Sequence, residues 1–251
     1  MQTCLNCGTH FKGNYCPACG QKVTGKRITG SVLIEDAIHF FTHLEKGFLH
    51  TTWNFLARPG LVSINFLEGK RKRYQPPVSY LLIWTTLYIL AHNLIINHYG
   101  YSLTNEVSPV PLMSTEANNL LRSHFTIFII PLLLMSALFI YMILARPMYY
   151  FTEILTLTLY GAGTYFMMLF ASDIILGSIF HINILTTNIF SWQTLLSSAY
   201  NLWFTYDFFK RVGLRLFWPR LAAATVLITV TGWIILVYLP QAWIYITGII
   251  N

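Results

Sequence analysis

Beyond residue 78 the sequence runs repeatedly for about 20 residues with few charges, the length a helix needs to cross the hydrocarbon of a bilayer. In lipid every backbone N–H and C=O must find a partner within the protein, which restricts such segments to helices or a closed barrel. Runs of this length are helical. Five are expected, over residues 78–96, 124–144, 153–176, 189–209 and 221–239. The fourth carries the most polar load, with Gln193, Asn201 and Asp207. Only 10% of the chain is charged and its mean hydropathy is +0.54, whereas a soluble domain carries about 25% charged residues. The fold class implied is an all-α polytopic membrane protein. Its first 77 residues form a head that precedes the first span, and no basic start followed by an apolar leader is evident there.

Charge orients the spans. Lys70, Arg71, Lys72 and Arg73 stand just before the first span, and cationic clusters beside a span stay in the cytoplasm. If they are inside, the spans alternate so that residues 97–123 face outward, the 145–152 loop inward, 177–188 outward and 210–220 inward. Of the 16 Lys and Arg, only Arg122 then falls outside. The N-terminus is expected in the cytoplasm and the C-terminus outside. This placement accounts for the net charge of +7, so no nucleic-acid partner is expected.

All four cysteines lie in two C-x-x-C-G knuckles, Cys4-Leu5-Asn6-Cys7-Gly8 and Cys16-Pro17-Ala18-Cys19-Gly20. Each knuckle lets two thiolates grip one ion, and the glycine permits the tight turn behind the second. Two knuckles supply a closed tetrahedral shell suited to structural Zn²⁺. Residues 1–24 are expected to be a small zinc ribbon, and 25–30 a linker.

Residues 31–77 read as an amphipathic helix followed by a basic approach to the membrane. From Ser31 to Leu56, Leu33, Ala37, Phe40, Phe41, Leu44, Phe48 and Phe55 share one face at helical spacing, opposite Glu35, His39, His43, Lys46 and His50. Such a helix lies in the membrane plane, and Arg58-Pro59-Gly60 stops it. Glu35, His39, His43 and His50 form a candidate second polar site, able in principle to bind a metal or sense pH. Lys70 to Arg73, with Tyr74 at headgroup depth, form a candidate lipid-binding site. Pro76 and Pro77 should make a corner into the first span, pressing Phe40, Phe41, Phe48 and Phe55 onto lipid or onto neighbouring spans.

Polar groups inside the membrane mark sites or pathways. Glu153, Asp173, Asn201 and Asp207 are the candidates in the transmembrane domain, residues 78–251. Asp207 can also pair with Lys210 or Arg211 at helical spacing, and Gly161 and Gly163 read as helix-packing positions.

The run Lys46-Gly47-Phe48-Leu49-His50-Thr51-Thr52, with Arg58-Pro59-Gly60, then Gly69-Lys70-Arg71-Lys72-Arg73-Tyr74 and Pro77, resembles a bacterial membrane-protein family. That family is catalogued only as domain of unknown function 3667 and carries an N-terminal zinc ribbon. The resemblance covers about residues 4–90. It implies an architecture in the bacterial cytoplasmic (inner) membrane and supplies no catalytic residues.

No H-E-x-x-H, G-x-S-x-G, P-loop or dinucleotide fingerprint is present, so catalytic residues are not assigned and enzymatic activity is not favoured. The function expected is a non-enzymatic module whose zinc ribbon and basic face bind a partner protein or anionic membrane lipid. One alternative is a small-molecule or lipid permease working as a homo-oligomer. Another is an enzyme acting at the membrane interface.

Overall fold

A computed structural model of the protein describes residues 1–23, 28–34, 47–100, 120, 125–182, 189–214 and 217–250. The head opens with β1 (Gln2–Thr3) and β2 (His10–Phe11), antiparallel with Gln2 opposite Phe11 and Thr3 opposite His10. The rest is helical: α1 (Phe48–Ala57), α2 (Pro59–Leu67), α3 (Pro77–Tyr99), α4 (Phe125–Ile140), α5 (Phe151–Asp173), α6 (Ile189–Val212) and α7 (Phe217–Ile250). Tyr141–Ala145 and Ile174–Ile179 continue α4 and α5 as π-helix.

Helix α3, the stretches Phe128–Ala145 and Phe151–Ile179, and most of α7 are long and apolar enough to cross a membrane. The remaining expected span, 189–209, is the helix α6. Its 24 residues would reach about 36 Å, so length does not bar it from crossing. Its polar residues keep it from qualifying on composition. Leu195, Leu196, Leu202 and Trp203 are exposed on it, while Tyr200, Phe204, Phe208 and Phe209 are buried. Ile130 and Leu134 of α4 and Val226, Val230 and Ile234 of α7 are likewise exposed, as expected of surfaces that a bilayer covers.

The helix expected to lie in the membrane plane departs most from the sequence reading. Residues 30–34 are helical, 35–46 lie outside the described residues, and α1 covers only the last part of the expected element. Phe55 does not face lipid. It is fully buried, stacked on Tyr160 at 4.5 Å, edge-on to Phe204 at 5.9 Å and 6.0 Å from Tyr80. Phe48 packs on Trp84 at 5.2 Å. Each such ring pair contributes on the order of 1 kcal/mol beyond its buried area. The tyrosine hydroxyls meet backbone carbonyls: Tyr200 donates at 2.9 Å to Phe55 O, left open in the last turn of α1, and Tyr160 at 2.6 Å to Gln75 O, just ahead of α3. On the solvent or lipid side α1 exposes Leu49 and Trp53. Periodicity thus grouped Phe48 and Phe55 correctly, and the face they share packs on neighbouring helices, while Leu49 and Trp53 give α1 a second apolar side.

Arg58-Pro59-Gly60 ends α1 and also begins a second helix. Arg58, at φ −150° and ψ 61°, caps both, and Pro59 stands at the first position of α2, where its missing N–H costs nothing. The two form a helical hairpin packed across the ends of α5 and α6. At the next corner Pro76 is extended and Pro77 opens α3, as the sequence suggests. Gly163 of α5 lets α3 approach: a Cβ there would stand 2.5 Å from the Tyr80 ring and 3.3 Å from Leu81 Cα.

The head, the hairpin, and the loops around Arg146 and Lys210 gather at one end of the helices, the basic end. Thr152 at the start of α5 donates to Ile28 O at 2.6 Å, which fastens the linker there.

Candidate metal centre and its docking site

The sulfurs of Cys4, Cys7, Cys16 and Cys19 all lie within 4.8 Å of one another. Cys4 and Cys19 are 3.6 Å apart, and Cys7 and Cys16 3.5 Å. Four thiolates around a tetrahedral ion with metal–sulfur bonds of about 2.3 Å would stand about 3.8 Å apart, so the donor set fits one ion. The two knuckles fold alike because their sequences are alike. Gly8 N donates to Cys4 O at 2.9 Å and Gly20 N to Cys16 O at 2.8 Å, both glycines having positive φ. Cys4 N then donates to Thr9 O, and Cys16 N to Gln21 O, each at 2.9 Å. The Thr9 hydroxyl beside Cys7 lowers that thiol to about 6, whereas burial pushes the Cys16 thiol up to about 11. No metal-ligating cluster of three or more groups other than these cysteines occurs among the described residues.

The head is not tethered loosely. Gln21, next to the second knuckle, grips the turn that follows α2. Its Nε2 donates to Gly69 O at 2.8 Å, and its Oε1 accepts from Arg71 N at 3.3 Å and Lys72 N at 3.2 Å. Gly69 suits this contact twice over. Its φ is +97°, and a Cβ would stand 2.6 Å from Leu5 Cδ1 of the first knuckle, closer than non-bonded carbons come. The basic turn is therefore the platform on which the cysteine-rich head sits.

Of the candidate lipid-binding residues, Lys70 Nζ reaches Asn65 Oδ1 at 3.0 Å and Glu68 Oε2 at 3.1 Å. Arg71 folds back, with Nε donating to Phe66 O at 3.3 Å and its guanidinium 5.6 Å from the Phe66 ring. Lys72 and Arg73 are exposed. Tyr74 is half-buried between Phe66 and His50, whose ring stands 5.7 Å from it. His50 is exposed on α1, and Glu35, His39 and His43 lie outside the described residues.

The four intramembrane candidates do not meet in one site. Glu153 closes the capping box of α5, accepting from Tyr150 N at 3.0 Å. Asp207 joins two elements: its Oδ2 accepts from Gly60 N at 2.9 Å, capping α2, and its Oδ1 accepts from Arg211 Nε at 2.9 Å. Asn201 Oδ1 packs 3.1 Å from where a Gly161 Cβ would stand. Asp173, 20 residues beyond Glu153 on α5 and so about 30 Å away, is buried against His92 Nδ1 at 2.7 Å. That pair stands where α5 passes into its π-helical turn, a feature often found at functional sites.

Residues 45–89 match the model of a family described as Protein of unknown function (DUF3667). Over those residues the chain is similar to that family. The DUF3667 segment holds the hairpin, the basic turn and the first half of α3, which is the platform the head sits on. The cysteine head, His92 and Asp173 fall outside it. No curated protein and no solved structure matches the chain.

The sequence pointed to the four cysteines through their spacing. It pointed to Gly69 only as part of a motif, with no reason attached. Gln21 carried no signal, because an amide that bonds backbone groups 48 to 51 residues away leaves no local pattern. Asp173 was visible as an intramembrane carboxylate, but nothing local in the sequence pairs it with His92, 81 residues away.

Proposed function

We propose that this protein is a non-enzymatic membrane module whose cytoplasmic face binds anionic lipid headgroups, with Zn²⁺ as the structural ion of its head. The observation that carries this reading is the three-bond grip of Gln21 on the Gly69–Lys72 turn. It makes the head and the membrane-facing hairpin one continuous surface that turns Lys72 and Arg73 outward. Beside them α1 exposes Leu49 and Trp53, an apolar and aromatic pair suited to the headgroup boundary. Cations near an anionic leaflet contribute on the order of 1 kcal/mol each, and salt screens them. A protein partner on the outer side of the ribbon is compatible with the same surface. In this reading the basic end faces the cytoplasm and the protein lies in the bacterial inner membrane.

A lipid that binds the folded form raises its melting temperature. In detergent, an anionic phospholipid should stabilise the full-length protein more than a zwitterionic one of the same chain length. The difference should shrink at high salt and in the Lys72→Gln/Arg73→Gln double variant. An identical increment for both lipids in the parent and the variant would remove the lipid-binding claim.

The permease alternative draws support from one feature, the buried Asp173 carboxylate paired with His92, since ionisable pairs of this kind serve as proton relays. On that reading, proteoliposomes holding a pH gradient should leak protons faster with the parent than with Asp173→Asn. Equal leakage from parent, variant and empty vesicles would dismiss it.

A further inference from the structure

We propose that the metal-bound head is a clamp that reports its own metal occupancy to the start of the first transmembrane helix, so that proteins built this way sense metal availability at the membrane. The inference deepens the lipid-binding reading and rests on it only for the ribbon's holding a metal.

A ribbon of about 20 residues cannot bury a core of its own. Among its described residues only Cys4, Cys16 and Phe11 are buried, so its fold depends on the ion. Gln21 follows directly on the second knuckle, and its own carbonyl accepts from Cys16 N at 2.9 Å. Its position is thus fixed by the loop that holds two metal ligands. From there the side chain closes the Gly69–Lys72 turn with three hydrogen bonds.

The turn leads straight into packed structure. Gln75 N donates to Thr51 Oγ1 at 2.7 Å, and Gln75 O accepts from the Tyr160 hydroxyl at 2.6 Å. Two residues later α3 begins. The Gln75 side chain is buried, and its Oε1 has no hydrogen-bond partner among the described residues, an arrangement that persists only while its surroundings are held in place. Loss of the ion unfolds the knuckles, withdraws Gln21 and Leu5, and leaves the Gly69 backbone free to relax from φ +97°. The Lys72 and Arg73 side chains then lose their fixed presentation.

Hydrogen exchange in lipid nanodiscs tests this on the full-length protein by following the amide of Lys72, since Arg71 N also donates to Gly69 O at 3.0 Å. With metal bound the Lys72 amide should be protected. Removing the ion with a chelator should speed its exchange at least about tenfold. Gln21→Ala should speed it equally while elemental analysis still finds the ion, because the alanine keeps the backbone carbonyl that serves the knuckle. Exchange that is unchanged on chelation overturns the proposal. So does a metal-loaded Gln21→Ala protein that stays protected, since the head would then be held by contacts other than this clamp. The readout is independent of lipid affinity, so either reading can fail without the other.

Discussion

Gly60 and Asp207 stand 147 residues apart in sequence and leave no room between them. A Cβ on Gly60 would meet the Asp207 carbonyl carbon and Oδ2, each at 2.6 Å. Both are held on helices, so neither can step aside cheaply. Gly60→Ala should therefore push α2 off α6 and cost about 1–3 kcal/mol, the usual penalty for overpacking. Asp207→Ala removes the side chain that caps α2 and should cost about 1 kcal/mol. Denaturant unfolding in detergent would measure both. The double variant should cost less than the sum, because displacing α2 already breaks the bond that Asp207 makes. Strict additivity would mean that Gly60 and Asp207 do not act through each other. The Arg-Pro-Gly run was legible as a helix stop, because proline and glycine act locally. Its second role needed α6, which no local pattern could supply.

The cysteine-rich head offers a shell for a metal ion, and the membrane helices satisfy their backbone in lipid, so the two call on different physics. Purified protein should carry about one Zn²⁺ per chain. Cys16→Ser should lose that ion and the head's fold, yet leave a reporter fused after Asn251 outside and one before Cys4 inside. An inside reading at Asn251 would require an even number of crossings and would place α6, the most polar of the long helices, along the membrane surface. Elements governed by such separate rules were the readable ones. Cysteine spacing and long apolar runs identify their structures without reference to anything distant. The hairpin was legible only in part. Phe48 and Phe55 share a face in the sequence, but that Phe55 meets Tyr80, Tyr160 and Phe204 and not lipid is decided by residues far along the chain.

At the scale of the whole molecule, the four polar residues that composition singled out as a pathway are mostly joints. Glu153 starts a helix, Asp207 fastens α2 to α6, and Asn201 packs on Gly161. What remains distinctive is the seat of the head on the basic turn, and the account stands or falls with it. Placing a photo-activatable side chain at Leu5 in the full-length protein, in native membranes, tests that seat most directly. Leu5 Cδ1 touches the Gly69 position, so irradiation should join the head to the peptide holding Glu68 to Lys72 of the same chain. The yield should fall when the metal is stripped. Cross-links found only to other proteins, or to no part of that turn, would contradict the account.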